Sequence, residues 1–114
     1  MFKVSCIQVC SSDNIEENLT KIIDFTNQSI SEGADFILTP EVSSIFFSEK
    51  SDLLSKITLM EDDIFVKNFI EISKKNKKWI LLGSLLIKIS NNLRIKLIPD
   101  RIRGTIIYKF HLRL

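Results

Sequence analysis

A chain of 114 residues is a single domain at most, able to bury only a modest core. With 45% hydrophobic and 26% charged residues it has the balance of a soluble globular domain, and that excludes a disordered or fibrous chain. The longest apolar run, Trp79 to Ile87, is broken by Lys88 well short of the roughly 18 residues of a membrane span, so no membrane partner is expected.

The formal net charge of +2 conceals a polar division. Residues 1–66 carry 4 Lys/Arg against 12 Asp/Glu, and residues 67–114 carry 12 against 2. A basic half can signal nucleic acid. Here the densest part, Lys74-Lys75-Asn76-Lys77-Lys78, closes a helical pattern, where lysines complement the helix dipole and stay solvated. No aromatic RNA-binding motif or recognition-helix pattern accompanies it, so the charge points away from nucleic acid. Cys6 and Cys10 stand without histidine-rich or CxxC company, which indicates neither a zinc site nor a redox pair. Met1-Phe2-Lys3-Val4 leads directly into a strand pattern without the apolar core of a signal peptide, and a cytoplasmic protein is expected.

In chain order, residues 2–9 alternate apolar with small or polar side chains and predict a strand with one buried face. Cys6, alternating with Val4, is expected in the core. Ser12-Asp13-Asn14 then opens a helix, with Asp13 and Glu16 at capping-box spacing. Ile15, Leu19, Ile22, Ile23, Thr26 and Ile30 fall on one helical face, and Gly33 supplies a left-handed residue past its end. Phe36 to Thr39 is a second, buried strand, which makes residues 2–39 one β-α-β crossover.

Pro40 has no N–H to continue a ladder, so Glu41 is expected just past the carboxyl end of that strand. In open α/β sheets this is the edge where ligands bind. A carboxylate backed by Ile37 and Leu38 is expected to be partly desolvated, the state suited to a general base; a solvated loop glutamate is the plainer alternative.

Leu53, Leu54, Ile57 and Met60 have the spacing of a short helix within Asp52–Met60. From Asp62 to about Asn76 a longer helix carries Phe65, Phe69 and Ile72 on one stripe. Trp79 to Ile87 reads as a strand covered on both faces, with Gly83 where another backbone or a substrate comes close. Asn91-Asn92 reads as a turn, and Leu93–Ile98 and Thr105–Phe110 as strands separated by Pro99-Asp100. The order β-α-β-α-β-β-β predicts an α/β layer protein with a mixed sheet.

Four segments together resemble the N-terminal part of the nitrilase, or carbon–nitrogen hydrolase, superfamily. They are Gln8 with Asn18-Leu19; Gly33-Ala34-Asp35-Phe36-Ile37-Leu38-Thr39-Pro40-Glu41; Ile80-Leu81-Leu82-Gly83-Ser84; and Tyr108-Lys109-Phe110-His111-Leu112. The resemblance implies the N-terminal half of an αββα sandwich, residues 1–114 forming one partial domain with helices on one face of a mixed sheet. It implies hydrolysis of non-peptide carbon–nitrogen bonds in a small amide or nitrile, with no cofactor and no metal. Glu41 would be the general base and Lys109 the cation beside the oxyanion, while His111 is a structural marker of the lysine segment. Tyr108 precedes Lys109 directly, where the family pattern has a residue between.

The family's cysteine nucleophile follows its lysine by some tens of residues. The sequence ends five residues after Lys109, and neither Cys6 nor Cys10 matches that position. The chain is therefore expected to be truncated before the nucleophile and inactive alone. The alternatives are one half of a split hydrolase completed by a second chain carrying the cysteine, and a non-enzymatic module using the basic second half. A sheet face lacking its second half is further expected to promote homo-oligomerisation or aggregation.

Overall fold

A computed structural model describes residues 1–41, 43–46 and 49–88, together with the backbone of Ile95–Lys96, Arg101–Ile102, Thr105–Ile107 and His111–Leu112. The elements in chain order are β1 (Val4–Cys6), α1 (Ile15–Ser31), β2 (Phe36–Leu38), α2 (Lys50–Lys56), α3 (Ile64–Asn76), β3 (Trp79–Leu82), β4 (Ile95–Lys96), β5 (Arg101–Ile102), β6 (Thr105–Ile107) and β7 (His111–Leu112). Five strands form one sheet in the order β1-β2-β3-β6-β5. The first three pairings are parallel, with Val4 opposite Phe36, Phe36 opposite Trp79 and Leu82 opposite Ile107; β5 closes the sheet antiparallel to β6. This is the mixed α/β sheet that the sequence predicts. His111, just past the expected Thr105–Phe110 strand, pairs with Lys96 in a separate two-stranded sheet.

The first crossover is shaped at both ends by local chemistry. The Asn14 side chain accepts from the Glu17 backbone N–H at 2.9 Å, so Asn14 caps α1 in place of the expected Asp13–Glu16 box. At the other end Ala34 N–H donates to Ser29 O and Gly33 N–H to Ile30 O, with Gly33 at φ +84°, the left-handed exit that a side chain would strain. Asp35 then ties the returning strand to the first one: its carboxylate accepts the Lys3 backbone N–H at 2.9 Å. That bond, ahead of the Lys78 ammonium 3.7 Å away, holds the Asp35 carboxyl below its ordinary range.

The two long helices cover one face of the sheet. Ile37 and Ile80, adjacent in register, are fully buried against Ile22 of α1 and Phe65 and Phe69 of α3. The two phenyl rings stack with centroids 6.1 Å apart. Along α1 the most buried line runs through Asn18, Ile22, Thr26 and Ser29, while Ile15, Leu19, Ile23 and Ile30 are only partly buried. The helix meets the sheet along small polar side chains whose hydroxyls are satisfied locally: Thr26 donates to Ile22 O, and Ser29 to Phe25 O and against Ser5. A second cluster, Ile45, Leu53, Ile57 and Leu86, packs α2 beside this core.

Among the described residues no helix covers the opposite face. Val4, Phe36 and Trp79 form one row across three strands, and Cys6, Leu38 and Leu81 the next. Val4, Cys6 and Trp79 are exposed and the others half-buried. Cys6 is thus not in the core, and Trp79 is not covered on both sides: alternation sends both to the face without helices. The strand from Trp79 also ends at Leu82 instead of Ile87, although Ser84 to Ile87 stay buried as irregular chain. Among the described residues no helix is long and apolar enough to cross a membrane.

Asp63 begins α3 by accepting from Val66 N–H at 3.0 Å, and it is buried. Burial raises its carboxyl above the ordinary range against the pull of the Val66 and Phe65 N–H groups. A raised folded-state value means the folded chain holds its proton to higher pH than the unfolded one. Stability therefore falls as pH climbs from about the ordinary carboxyl value through the raised one. Asp63→Asn keeps a capping acceptor and removes the buried charge, so urea titrations should show that this pH-dependent loss disappears. Phe69→Ala, in contrast, should cost about 3–5 kcal/mol at any pH in the same titrations.

Candidate functional site

The carboxyl edge of the parallel strands is built by three consecutive loops stitched to one another. After β2, Thr39 N–H donates to Leu81 O at 3.0 Å, and the Thr39 hydroxyl accepts from Gly83 N–H at 2.9 Å. The Pro40 carbonyl then lies directly over Gly83, where a Cβ would overlap that oxygen and come within 2.7 Å of the Thr39 carbonyl. The close approach expected at Gly83 is therefore made by the chain's own backbone, and it ends β3. Ser43, fully buried, closes the turn by donating to the Pro40 carbonyl and lies 3.4 Å from the Thr39 hydroxyl.

Asn18 joins the loop after β1 to the loop after β2. Its buried amide accepts from Ser12 N–H at 2.9 Å and donates to Ser12 O at 2.8 Å and to Ser44 O at 3.0 Å. Phe46 N–H returns to Ser12 O, and the Ser11 hydroxyl donates to Ser43 O. Asn18 figures in the sequence only through its motif, and its work is to hold two loops together. Ser43 carries no such signal, because a buried turn serine is not distinguishable by spacing from an exposed one.

Glu41 sits on this stitched rim, in the turn after Pro40, and it is exposed. The expected partial desolvation is absent for a geometric reason. The turn directs Ser43, Ser44 and Ile45 inward and presses the Pro40 carbonyl onto β3, which leaves residue 41 outward. Lys109 and Tyr108 lie outside the described residues, as do the Asn91-Asn92 and Pro99-Asp100 turns. The strand preceding Lys109, β6, runs parallel to β3 with Ile107 opposite Leu82, next to Gly83. Cys10 is exposed within the loop between β1 and α1.

On the helix side of the rim a cavity of about 120 Å³ is lined by Glu16, Ser44, Lys56, Asp63, Ile64 and Leu86, among others. The buried Ser44 hydroxyl has no hydrogen-bond partner. A larger hollow of about 360 Å³ lies between Asp13–Glu16 and Lys56. Glu41 lines neither. Among the described residues no group of three or more His, Cys, Asp or Glu has the geometry to hold a metal ion.

The rim's dependence on a missing side chain is directly testable. Gly83→Ala should destabilise the chain by about 1–3 kcal/mol, the cost of inserting a methyl into a filled contact. Chemical denaturation measures the loss, and the amide resonances of Thr39–Glu41 should shift more than those of α1.

Family descriptions of protein sequences give no match to this chain, and no curated protein matches it. Among solved structures, the crystal structure of the C. elegans NitFhit protein superposes with a TM-score of 0.74 at 18% sequence identity. The superposition takes in all of this chain and 29% of that one. In fold, the chain is an α/β unit of the nitrilase type, matching a part of a longer protein.

Proposed function

We propose that this chain is the base-bearing part of a carbon–nitrogen hydrolase-type domain, without turnover alone and competent once a cysteine-bearing second half completes it. The observation that carries the reading is the rim: Thr39, Ser43 and Gly83 fix the turn that presents Glu41 at the ligand-binding edge of a nitrilase-type sheet. The open rows of Val4, Phe36 and Trp79 and of Cys6, Leu38 and Leu81 support it, because an uncharged apolar sheet face is stable when another layer covers it. The same covering layer would take water from around Glu41. Its substrate class is a small amide or nitrile, and its compartment the cytoplasm, where thiols stay reduced.

For an amide, the chemistry assigned to these residues runs in two halves. Glu41 takes the proton of the incoming thiol, and the thiolate attacks the carbonyl carbon. Charge develops on the carbonyl oxygen beside the Lys109 ammonium, whose attraction is large in a dry site. The proton held by Glu41 passes to the nitrogen as the carbon–nitrogen bond breaks, leaving a thioester. Water, deprotonated by Glu41, then releases the acid and restores the thiol.

Ammonia release from a panel of amides and nitriles tests this, with the chain alone and with the chain mixed with the cysteine-bearing half of a nitrilase-superfamily member. No release is expected from the chain alone. Activity is expected in the mixture, falling by about 10²–10⁴-fold with Glu41→Gln and lost with Lys109→Ala. Turnover by the lone chain that vanishes with Cys10→Ala would overturn the proposal.

A further inference from the structure

The sheet has two ends, and they are defended differently. At one end is β5, Arg101–Ile102, with Arg103 following it in the sequence, and charges on an edge strand discourage pairing with another chain. At the other end is β1, which among the described residues pairs with β2 alone. Lys3 O accepts from Asp35 and Phe36, and Ile7 N–H donates to Leu38 O, so residues 3 and 7 turn their backbone groups to β2. Strand periodicity then turns the N–H and C=O groups of Val4, Cys6 and Gln8 outward. From Val4 to Ser12 the sequence contains no charged residue and no proline, the two usual means of blunting an edge. Val4 is 50% exposed and Phe25, beside the strand on α1, 46%. At this edge a hollow of about 290 Å³ is lined by Ser5, Cys6, Ile7, Gln8, Phe25 and Ser29, among others.

We propose that β1 is a homodimer interface, in which β1 of a second copy pairs with it antiparallel across a two-fold axis at Cys6. The occupant follows from charge and closure. The uncharged β1 edge repels no second uncharged β1, whereas the arginine-flanked β5 edge is the poorer acceptor. A β1-to-β5 contact would also be head-to-tail and leave further edges open, while β1-to-β1 pairing is isologous and closes. The pairing uses the outward groups of Val4, Cys6 and Gln8, sets Val4 opposite the partner's Gln8, and joins two five-stranded sheets into one. It is separate from the proposed hydrolase reading, which concerns the sheet's face and its carboxyl rim.

Cys6 makes this register measurable. In a hydrogen-bonded antiparallel pair the opposed Cα atoms are about 5.5 Å apart, within the roughly 4.4–6.8 Å that a disulfide spans. Both Cys6 side chains would lie on the open face, where Cys6 is an exposed free thiol. Diamide takes two electrons and two protons from a pair of thiols, becoming the hydrazine as the disulfide forms. With Cys10→Ser, leaving Cys6, the covalent dimer should form at least ~10-fold faster than with Cys6→Ser, leaving Cys10, because paired thiols react at a high effective concentration. Equal rates would overturn the proposal.

Sedimentation of the reduced chain is the second measurement. Cys6→Pro removes only an outward N–H and should convert the dimer to a monomer, with circular dichroism verifying that the fold is kept. Trp79→Glu, on the open face, should leave the dimer intact. A dimer dissolved by Trp79→Glu but not by Cys6→Pro would place the contact on the sheet face and refute the edge. A wild-type monomer at tens of micromolar would refute it as well.

Discussion

The contact on which this architecture turns is the seating of the Pro40 carbonyl against Gly83. It requires a proline that stops β2, a glycine without a Cβ at the end of β3, and a threonine hydroxyl between them to take the Gly83 N–H. Each loop at the carboxyl edge refers back to it. Ser43 bonds to the same carbonyl, Ser44 and Ile45 are turned inward by the same turn, and Asn18 fastens the loop after β1 to Ser44. Any side chain at residue 83 would push the two strands' ends apart, and the loops on both sides would have to follow.

The central division of the sheet was legible because it depends on period. Alternation in residues 2–9 and the apolar run from Trp79 predict strands, and the stripes through Ile22 and through Phe65 and Phe69 predict the helices that cover them. Periodicity does not say which face of a strand is covered. Cys6 and Trp79 lie in phase with apolar neighbours, and the direction of the crossovers, not their own chemistry, sends them to the uncovered side. The cap of α1 was displaced by one residue for a comparable reason. Asp13 and Asn14 are both competent caps, and only the hydrogen bond from Glu17 N–H distinguishes them.

The turn that carries Glu41 was legible as a motif and less so as an environment. Gly83, Thr39 and Pro40 stand where the sequence puts a close approach and a strand end, and Glu41 follows on the rim. Its exposure arises from tertiary packing: the turn's inward places are taken by Ser43, Ser44 and Ile45. Burial of a carboxylate is instead found at Asp63, whose cap bond and surrounding core keep it out of water. A helix-opening aspartate has the same local pattern whether exposed or buried, so the sequence around it carries no mark of the difference.

The strand order has a consequence for how the chain reaches this state. β2 and β3 each lie against the strand delivered immediately before them, and Asp35 fastens β2 to Lys3. The sheet thus grows outward from its amino-terminal end in the order of synthesis, with one helix-bearing crossover added at a time. The order changes at the far side, where β5 precedes β6 in the chain but is separated by it from β3. β5 therefore has no place in the sheet until β6 has docked against β3. During this interval β3 is itself an edge, presenting Trp79–Leu82 to any other extended chain nearby.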